Sequence, residues 1–308
     1  SCHVAGMRIY VPMNESEEIS ISYNSEWNLV GLPLEVEDAS YNILFPESTE
    51  GTLYSFDETY ILGSTLNQSE GYWLRFDNSG TTTITGTPID ELTISLSEGW
   101  NLVSGLHEDL SIYSINDPDS TIVPNTLFGF SDAYFLTEEL VPGKGYWLRA
   151  FQDGEVTITG DGLARVTPQD FSLNGKANTL TVNGIDLYFG IEMSARERLS
   201  YSLPPKPPAG AFDVRFKDGW RAVKDYGEVE VMPTTETLTI AYDIKLNAGE
   251  HYNWVLNSET LDDYVLENAG EITVPSAERF TLELKAVVPA TFTLHQNFPN
   301  PFNPITTL

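Results

Sequence analysis

Cysteine is almost missing from this chain of 308 residues: Cys2 is the single one. No disulfide can therefore form within the chain, and Cys2 remains a terminal thiol or a partner for another chain. Basic residues are scarce too, 16 Lys and Arg against 45 Asp and Glu, for a net charge of −29. Between Ile9 and Gly143, Arg75 is the only Lys or Arg. A field this negative repels nucleic acid and anionic membrane, so neither is an expected partner. No apolar run reaches about 18 residues, so no membrane span is expected. The histidines, His3, His107, His251 and His295, are scattered, with none at metalloprotease spacing. There is no G-x-S-x-G elbow, no Walker loop and no dinucleotide glycine fingerprint after a strand. Among so many carboxylates, chance neighbours are expected, so their number alone does not signal a glycosidase pair. The chain reads as non-catalytic. Its first residues, Ser1-Cys2-His3, read as the start of a processed or excerpted piece.

What is present is enough length for two or three domains with sizeable cores. The acidic surface suits solubility in a salty extracellular medium, where ions screen self-repulsion. The sharper alternative is Ca²⁺ on the acidic face. Asp117-Pro118-Asp119-Ser120 is a candidate, although it lacks the spacing of an EF-hand loop. No other cofactor is expected, with one remote exception. Cys2-His3 matches the end of C-x-x-C-H, the c-type haem attachment motif.

The first half repeats itself. Trp27-Asn28-Leu29-Val30 returns 73 residues later as Trp100-Asn101-Leu102-Val103. Thr52-Leu53-Tyr54-Ser55-Phe56 returns 74 later as Thr126-Leu127-Phe128-Gly129-Phe130, and Gly71-Tyr72-Trp73-Leu74-Arg75 as Gly145-Tyr146-Trp147-Leu148-Arg149. Alternation in Ser20-Ile21-Ser22-Tyr23 and Thr93-Ile94-Ser95-Leu96 marks half-buried strands. A hairpin is expected at the end of each unit, across Asp77-Asn78-Ser79-Gly80 and Gln152-Asp153-Gly154-Glu155. The expected architecture is all-β, with an N-terminal segment at 1–16 and similar modules at 17–90 and 91–163. An immunoglobulin-like β-sandwich follows at 164–288, then an extended Pro/Asn-rich tail at 289–308. The paired units could equally form one pseudo-symmetric domain.

The sandwich rests on about eight short strand candidates after Val166, from Thr179–Val182 to Phe280–Leu284. One short helix is expected at Met193–Leu199. Leu203-Pro204-Pro205-Lys206-Pro207-Pro208-Ala209-Gly210 interrupts the domain as a stiff polyproline-type loop.

Equivalent tryptophans should do equivalent jobs. Burial in a module core is the favoured expectation, with exposure as a sugar-stacking platform the alternative. Alternation puts Trp73 and Arg75 on one side of their strand, as it does Trp147 and Arg149. These four form the candidate binding patch, with polysaccharide as its candidate ligand.

The chain closes on Gln296-Asn297-Phe298-Pro299-Asn300-Pro301-Phe302-Asn303-Pro304. Three prolines force an extended path. The motif resembles the start of the C-terminal sorting domain of type IX secretion substrates, in which a small β-domain follows. The string LPPKPPAGAFDVRF is similar to one found just upstream of that domain, and the GWNLV…GYWLR pairing resembles a repeat of secreted bacterial surface proteins. The resemblance implies export and an extracellular or outer-surface location. Phe298, Pro299, Asn300, Pro301, Phe302, Asn303 and Pro304 become candidate sorting or assembly residues. Cys2 and His3 are the candidate intermolecular thiol or haem anchor.

Two functions follow as expectations. One is a surface structural or interaction protein: a filament or layer subunit, or an adhesin. Its partners would be its own copies or the export machinery. The other is the accessory C-terminal part of a larger secreted hydrolase. A fragment of an extracellular cytochrome is the remote third.

Overall fold

The structure is a computed structural model describing residues 16–160, 169–173, 175–245 and 252–286. Within those residues the chain is all-β, interrupted only by the single-turn helices Tyr41–Leu44 and Ala195–Leu199 and a 3-10 turn at Ile112–Ser114. The second helix lies within the expected Met193–Leu199. Ser194 and Glu197 start it with a reciprocal capping box, which satisfies two otherwise orphaned amides.

Each repeat unit holds the same four-stranded sheet. In the first, Glu26–Gly31 pairs with Gly71–Phe76, followed by Tyr54–Asp57 and an edge strand Thr59–Leu62. In the second, Gly99–Ser104, Gly145–Ala150, Phe128–Ser131 and Ala133–Leu136 take the same order. The registers agree as well. Leu29 faces Trp73 as Leu102 faces Trp147, and Tyr54 faces Trp73 as Phe128 faces Trp147.

The expected terminal hairpins do not form. Gly80–Pro88 pairs with Glu17–Tyr23 and Leu34–Glu35, not with Gly71–Phe76. Likewise Gly154–Thr159 pairs with Glu91–Leu96. The Asn/Gly turn is a corner that carries the chain from one sheet to another. Both neighbours of the turn already have partners elsewhere, so closing a hairpin would leave those partners unpaired. Packing the sheets against each other closes a core in each unit. Ile21, Leu34, Phe45, Tyr72, Leu74 and Phe76 fill the first, and Ile94, Leu106, Tyr146, Leu148 and Ile158 the second.

The units are interlocked by reciprocal bonds. Gly31 N–H donates to Gly143 O and Ser104 N–H donates to Ser69 O, both at 3.0 Å. Ser104 is the repeat equivalent of Gly31, and Gly143 of Ser69, so the pair is pseudo-twofold. At the crossing, a Cβ on Gly71 would sit 2.6 Å from Val103 O and 3.2 Å from Gly145 Cα. Only glycine permits that approach.

The remaining described residues build a sandwich of two five-stranded sheets. One runs Ala222–Val223, Ile185–Phe189, Asn178–Val182, Thr237–Asp243, Ala269–Pro275; the other Asp213–Phe216, Tyr226–Met232, Arg279–Ala286, Tyr252–Ser258, Leu261–Leu266. Leu187, Phe189, Phe216, Val229, Leu256 and Leu282 are among the side chains between them. Ala222–Val223 and Tyr226–Met232 are two strands more than the sequence suggests, and the first is parallel to its neighbour. Tyr226–Met232 was hidden by its glycine and glutamates. Its inward positions are Gly227, Val229 and Val231, and Gly227 leaves room for the Phe216 ring, whose Cδ1 would lie 2.4 Å from an added Cβ.

Gly71→Val is expected to destabilise the module pair by about 1–3 kcal/mol through overpacking. Gly51→Asn, at φ 72° with open space around it, should stay within about 0.5 kcal/mol. Denaturant melts of both variants check the crossing. Equal midpoints would refute its importance.

Candidate functional site

Strand alternation places Trp73 on the opposite face from Tyr72 and Leu74, yet all three are buried. The strand is covered on both sides. Tyr72 and Leu74 enter the first unit's core. Trp73 enters a separate cluster shared by both units, with Leu29, Leu102, Phe128, Tyr134, Trp147 and Leu203. Trp73 and Trp147 are both 0% exposed. The exposed sugar platform is thereby corrected: these indoles lie in the seam between the units and present no ring face to a ligand.

The seam is built by exchange. Trp73 meets Phe130 of the second unit edge-to-face at 4.7 Å, and Trp147 meets Phe56 of the first at 4.8 Å. Tyr134 stands 6.2 Å from Trp73 and Tyr60 stands 6.5 Å from Trp147. Trp27 adds a T-shaped contact to Trp73 at 6.3 Å, and Trp100 lies 5.9 Å from Phe128. These are the geometries that aromatic quadrupoles favour.

The two arginines of the proposed patch differ. Arg75 makes a bidentate pair with Glu26 at 2.9 and 3.1 Å. That hydrogen bond raises the Arg75 pKa and holds the Glu26 carboxyl below the usual range. Both groups are exposed enough for the pair to contribute little stability. In the second unit Gly99 replaces Glu26, so Arg149 has no such partner. It lies 5.6 Å from the Trp100 ring, its Nε is buried without a hydrogen bond, and burial lowers its pKa. The repeat therefore brings each arginine beside a tryptophan strand without forming a common site.

What the seam does hold is a loop of the sandwich. Pro204 and Pro207 are both buried, as three residues per polyproline turn would align them. Tyr60 Oη donates to Lys206 O at 2.7 Å, its repeat equivalent Tyr134 donates to Pro205 O at 2.8 Å, and Trp27 Nε1 donates to Ala209 O at 3.1 Å. From the sandwich side, Arg215 Nη1 donates to Pro204 O at 2.6 Å. Arg215 also grips Asp213 through Nε at 2.5 Å and Nη2 at 2.7 Å. Burial disfavours the charge on Arg215, but the Asp213 contact more than offsets this and its pKa is raised. Lys206 Nζ reaches Glu230 at 2.8 Å. Aromatic walls with donors aimed at successive carbonyls are how polyproline segments are recognised.

Sequence reasoning missed this clasp. Tyr60 and Tyr134 do recur at the repeat period, which was a usable signal. Nothing in the linear order, however, links them to a loop about residue 206.

Asp117 is committed to its own turn, accepting from the amides of Thr121 and Ile122 at 2.8 Å each. No cluster of three potential metal ligands occurs among the described residues. His107 Nδ1 lies 3.0 Å from Ile89 O. Cys2, His3 and Phe298 through Pro304 lie outside the described residues. No helix among those described is long and apolar enough to cross a membrane. No family model, curated protein or solved structure matches the chain.

Burial pushes the Tyr60 hydroxyl up to about 12 and the Tyr134 hydroxyl well above its ordinary value. A raised folded-state pKa contributes stability that is complete below the unfolded value of about 10 and is lost as pH climbs through the folded one. The clasp should therefore weaken between about pH 10 and 12. The double variant Tyr60→Phe/Tyr134→Phe should lose about 1–3 kcal/mol at pH 8 and show a flatter decline to pH 11. Urea midpoints at the two pH values check this. Parallel declines in parent and variant would refute the tyrosine clasp.

Proposed function

We propose that this chain is a non-catalytic secreted surface protein, exported by the type IX route. It serves as a subunit of an extracellular filament or layer, or as an adhesin. One observation carries the reading: the chain's repeated aromatics are used to assemble the chain itself. Trp73, Trp147, Tyr60 and Tyr134 join two modules and then fasten a third to them. A protein whose task is to present or connect surfaces needs such fixed geometry between its domains. The net charge of −29 supports a life in salty medium, and the QNFPNPFNP motif supports the route.

A cleft between the second repeat unit and the sandwich supports a second reading, the ligand-binding accessory part of a secreted hydrolase.

Antibodies against the folded chain, applied to intact cells of its source, are expected to label the outside of the outer membrane. Removing residues 289–308 should abolish that labelling while the protein still accumulates inside. Labelling that requires permeabilised cells would overturn the surface reading, and unchanged export of the shortened chain would overturn the sorting role of the tail.

A further inference from the structure

The cleft has a volume of about 620 Å³, within the range of small-ligand sites. The second repeat unit contributes Tyr113, Asp117 and Glu138, and the sandwich side contributes Asp170, Tyr201 and Arg221.

Arg221 is fixed by its backbone. Its amide donates to Tyr201 O and its carbonyl accepts from the Tyr188 amide, both at 2.7 Å. Its guanidinium shares with Arg149 a buried nitrogen that has no hydrogen bond. Arg75, Lys206 and Arg215 each meet a carboxylate. Arg221 forms no ion pair among the described residues, and its Nη1 is out of water without a hydrogen-bond partner. The Phe128 and Tyr188 rings, each 5.8 Å from its Cζ, lie near the limit of a useful cation–π contact. Burial lowers its pKa. Holding an unpaired cation in this position costs stability. The side chain as a whole is only partly buried, and it lines this cleft as well as a smaller one beside Asp186 and Asp213.

The rest of the wall narrows the choice of anion. Glu138 already accepts from Tyr113 Oη at 2.7 Å and Asp117 from two amides. Each carboxylate oxygen still has a lone pair for a further donor. Phe171 and Tyr201 add aromatic faces. One cation, several acceptors and aromatic rings suit a ligand with one carboxylate, several hydroxyl donors and apolar C–H faces. A phosphate would set two negative charges on one group against Asp117, Glu138 and Asp170, whereas the carboxylates of a uronic-acid oligomer are spread along its chain, one to each sugar, and only one enters the cleft. We infer that this cleft binds a uronic-acid residue of an acidic polysaccharide, with the sugar carboxylate on Arg221. The assignment does not depend on where the protein resides, so failure of the surface reading would leave it standing.

The test is calorimetric titration of the full chain with trigalacturonate, its neutral methyl ester and a triglutamate peptide. Trigalacturonate should bind, with the ester at least about tenfold weaker, the worth of one charge-assisted contact. Arg221→Met should abolish binding without lowering the thermal midpoint, because the variant removes an unpaired cation. A purely structural arginine would lower the midpoint. Arg221→Lys, which keeps the charge, should retain measurable binding. The inference is overturned if trigalacturonate fails to bind, if the ester binds equally, if triglutamate binds more tightly, or if Arg221→Met binds unchanged.

Discussion

Two tryptophans that each complete the other unit's packing set the terms for the rest of this molecule. Trp73 is contributed by the first repeat unit but boxed by Phe130 and Tyr134 of the second, and Trp147 is boxed by Phe56 and Tyr60 of the first. Neither unit alone can bury its own indole. Folding of one therefore favours folding of the other, although each has its own apolar core. The indole N–H groups of both tryptophans lack acceptors, which costs about 1–3 kcal/mol apiece. Full burial of each ring and edge-to-face contacts worth about 0.5–1.5 kcal/mol per pair offset that cost. The close approach of Gly71 and Gly145 makes the arrangement possible, because bulkier residues would hold the strands apart.

The seam gains its second role from the tyrosines at its rim. Their rings pack inside while their hydroxyls reach Pro205 O and Lys206 O. A proline-rich loop suits this use. It cannot offer its full set of amide donors to a sheet, its carbonyls stay free, and it loses little conformational entropy on docking. The Asp213–Arg215 pair holds the loop from below, with both side chains 4% exposed. A buried pair of this kind adds less net stability than its charges suggest. Here the guanidinium also bonds Pro204 O, so the pair fixes the position of the loop. The string LPPKPPAGAFDVRF thus works as one device: prolines for the groove, Asp213 and Arg215 as the anchor, and Phe212 and Phe216 in the sandwich core.

The all-β class and the repeat could be read from the sequence because both are local or periodic. Alternation in Ile19–Tyr23 and Thr237–Tyr242 needs no knowledge of partners. Sheet partnership is different. Thr81–Thr85 looks like the second arm of a hairpin with Tyr72–Phe76, because Asn78 and Gly80 are good turn residues. Which strand it joins depends on Ile19 and Ile21, some sixty residues away. The tryptophan patch failed for a related reason. Alternation establishes that Trp73 and Tyr72 face opposite ways, but not that both faces are covered. The clasp was less legible still, since Tyr60 and Lys206 are separated by 146 residues.

That separation also orders events. Contacts so distant in sequence cost loop-closure entropy that local strand pairs do not. The groove exists only once both repeat units have formed, and the loop is presented only once Asp213–Phe216 has joined its sheet. The clasp can therefore close only after both the groove and the sheet that presents the loop have formed. Until it closes, the aromatic seam and the prolines are exposed together on a strongly acidic chain. Only Arg75, Lys144 and Arg149 are basic between residues 17 and 160, and most of the 16 basic residues lie beyond them. Repulsion between the acidic repeat units of two copies disfavours their meeting one another, while the sandwich, with 12 Lys and Arg against 19 Asp and Glu between 164 and 288, is less acidic and is repelled less. Tethering within one chain, which gives its own loop a high effective concentration, favours the loop of the same molecule as the occupant of the groove. The hydrogen bonds of Tyr60, Tyr134 and Trp27 then fix its register.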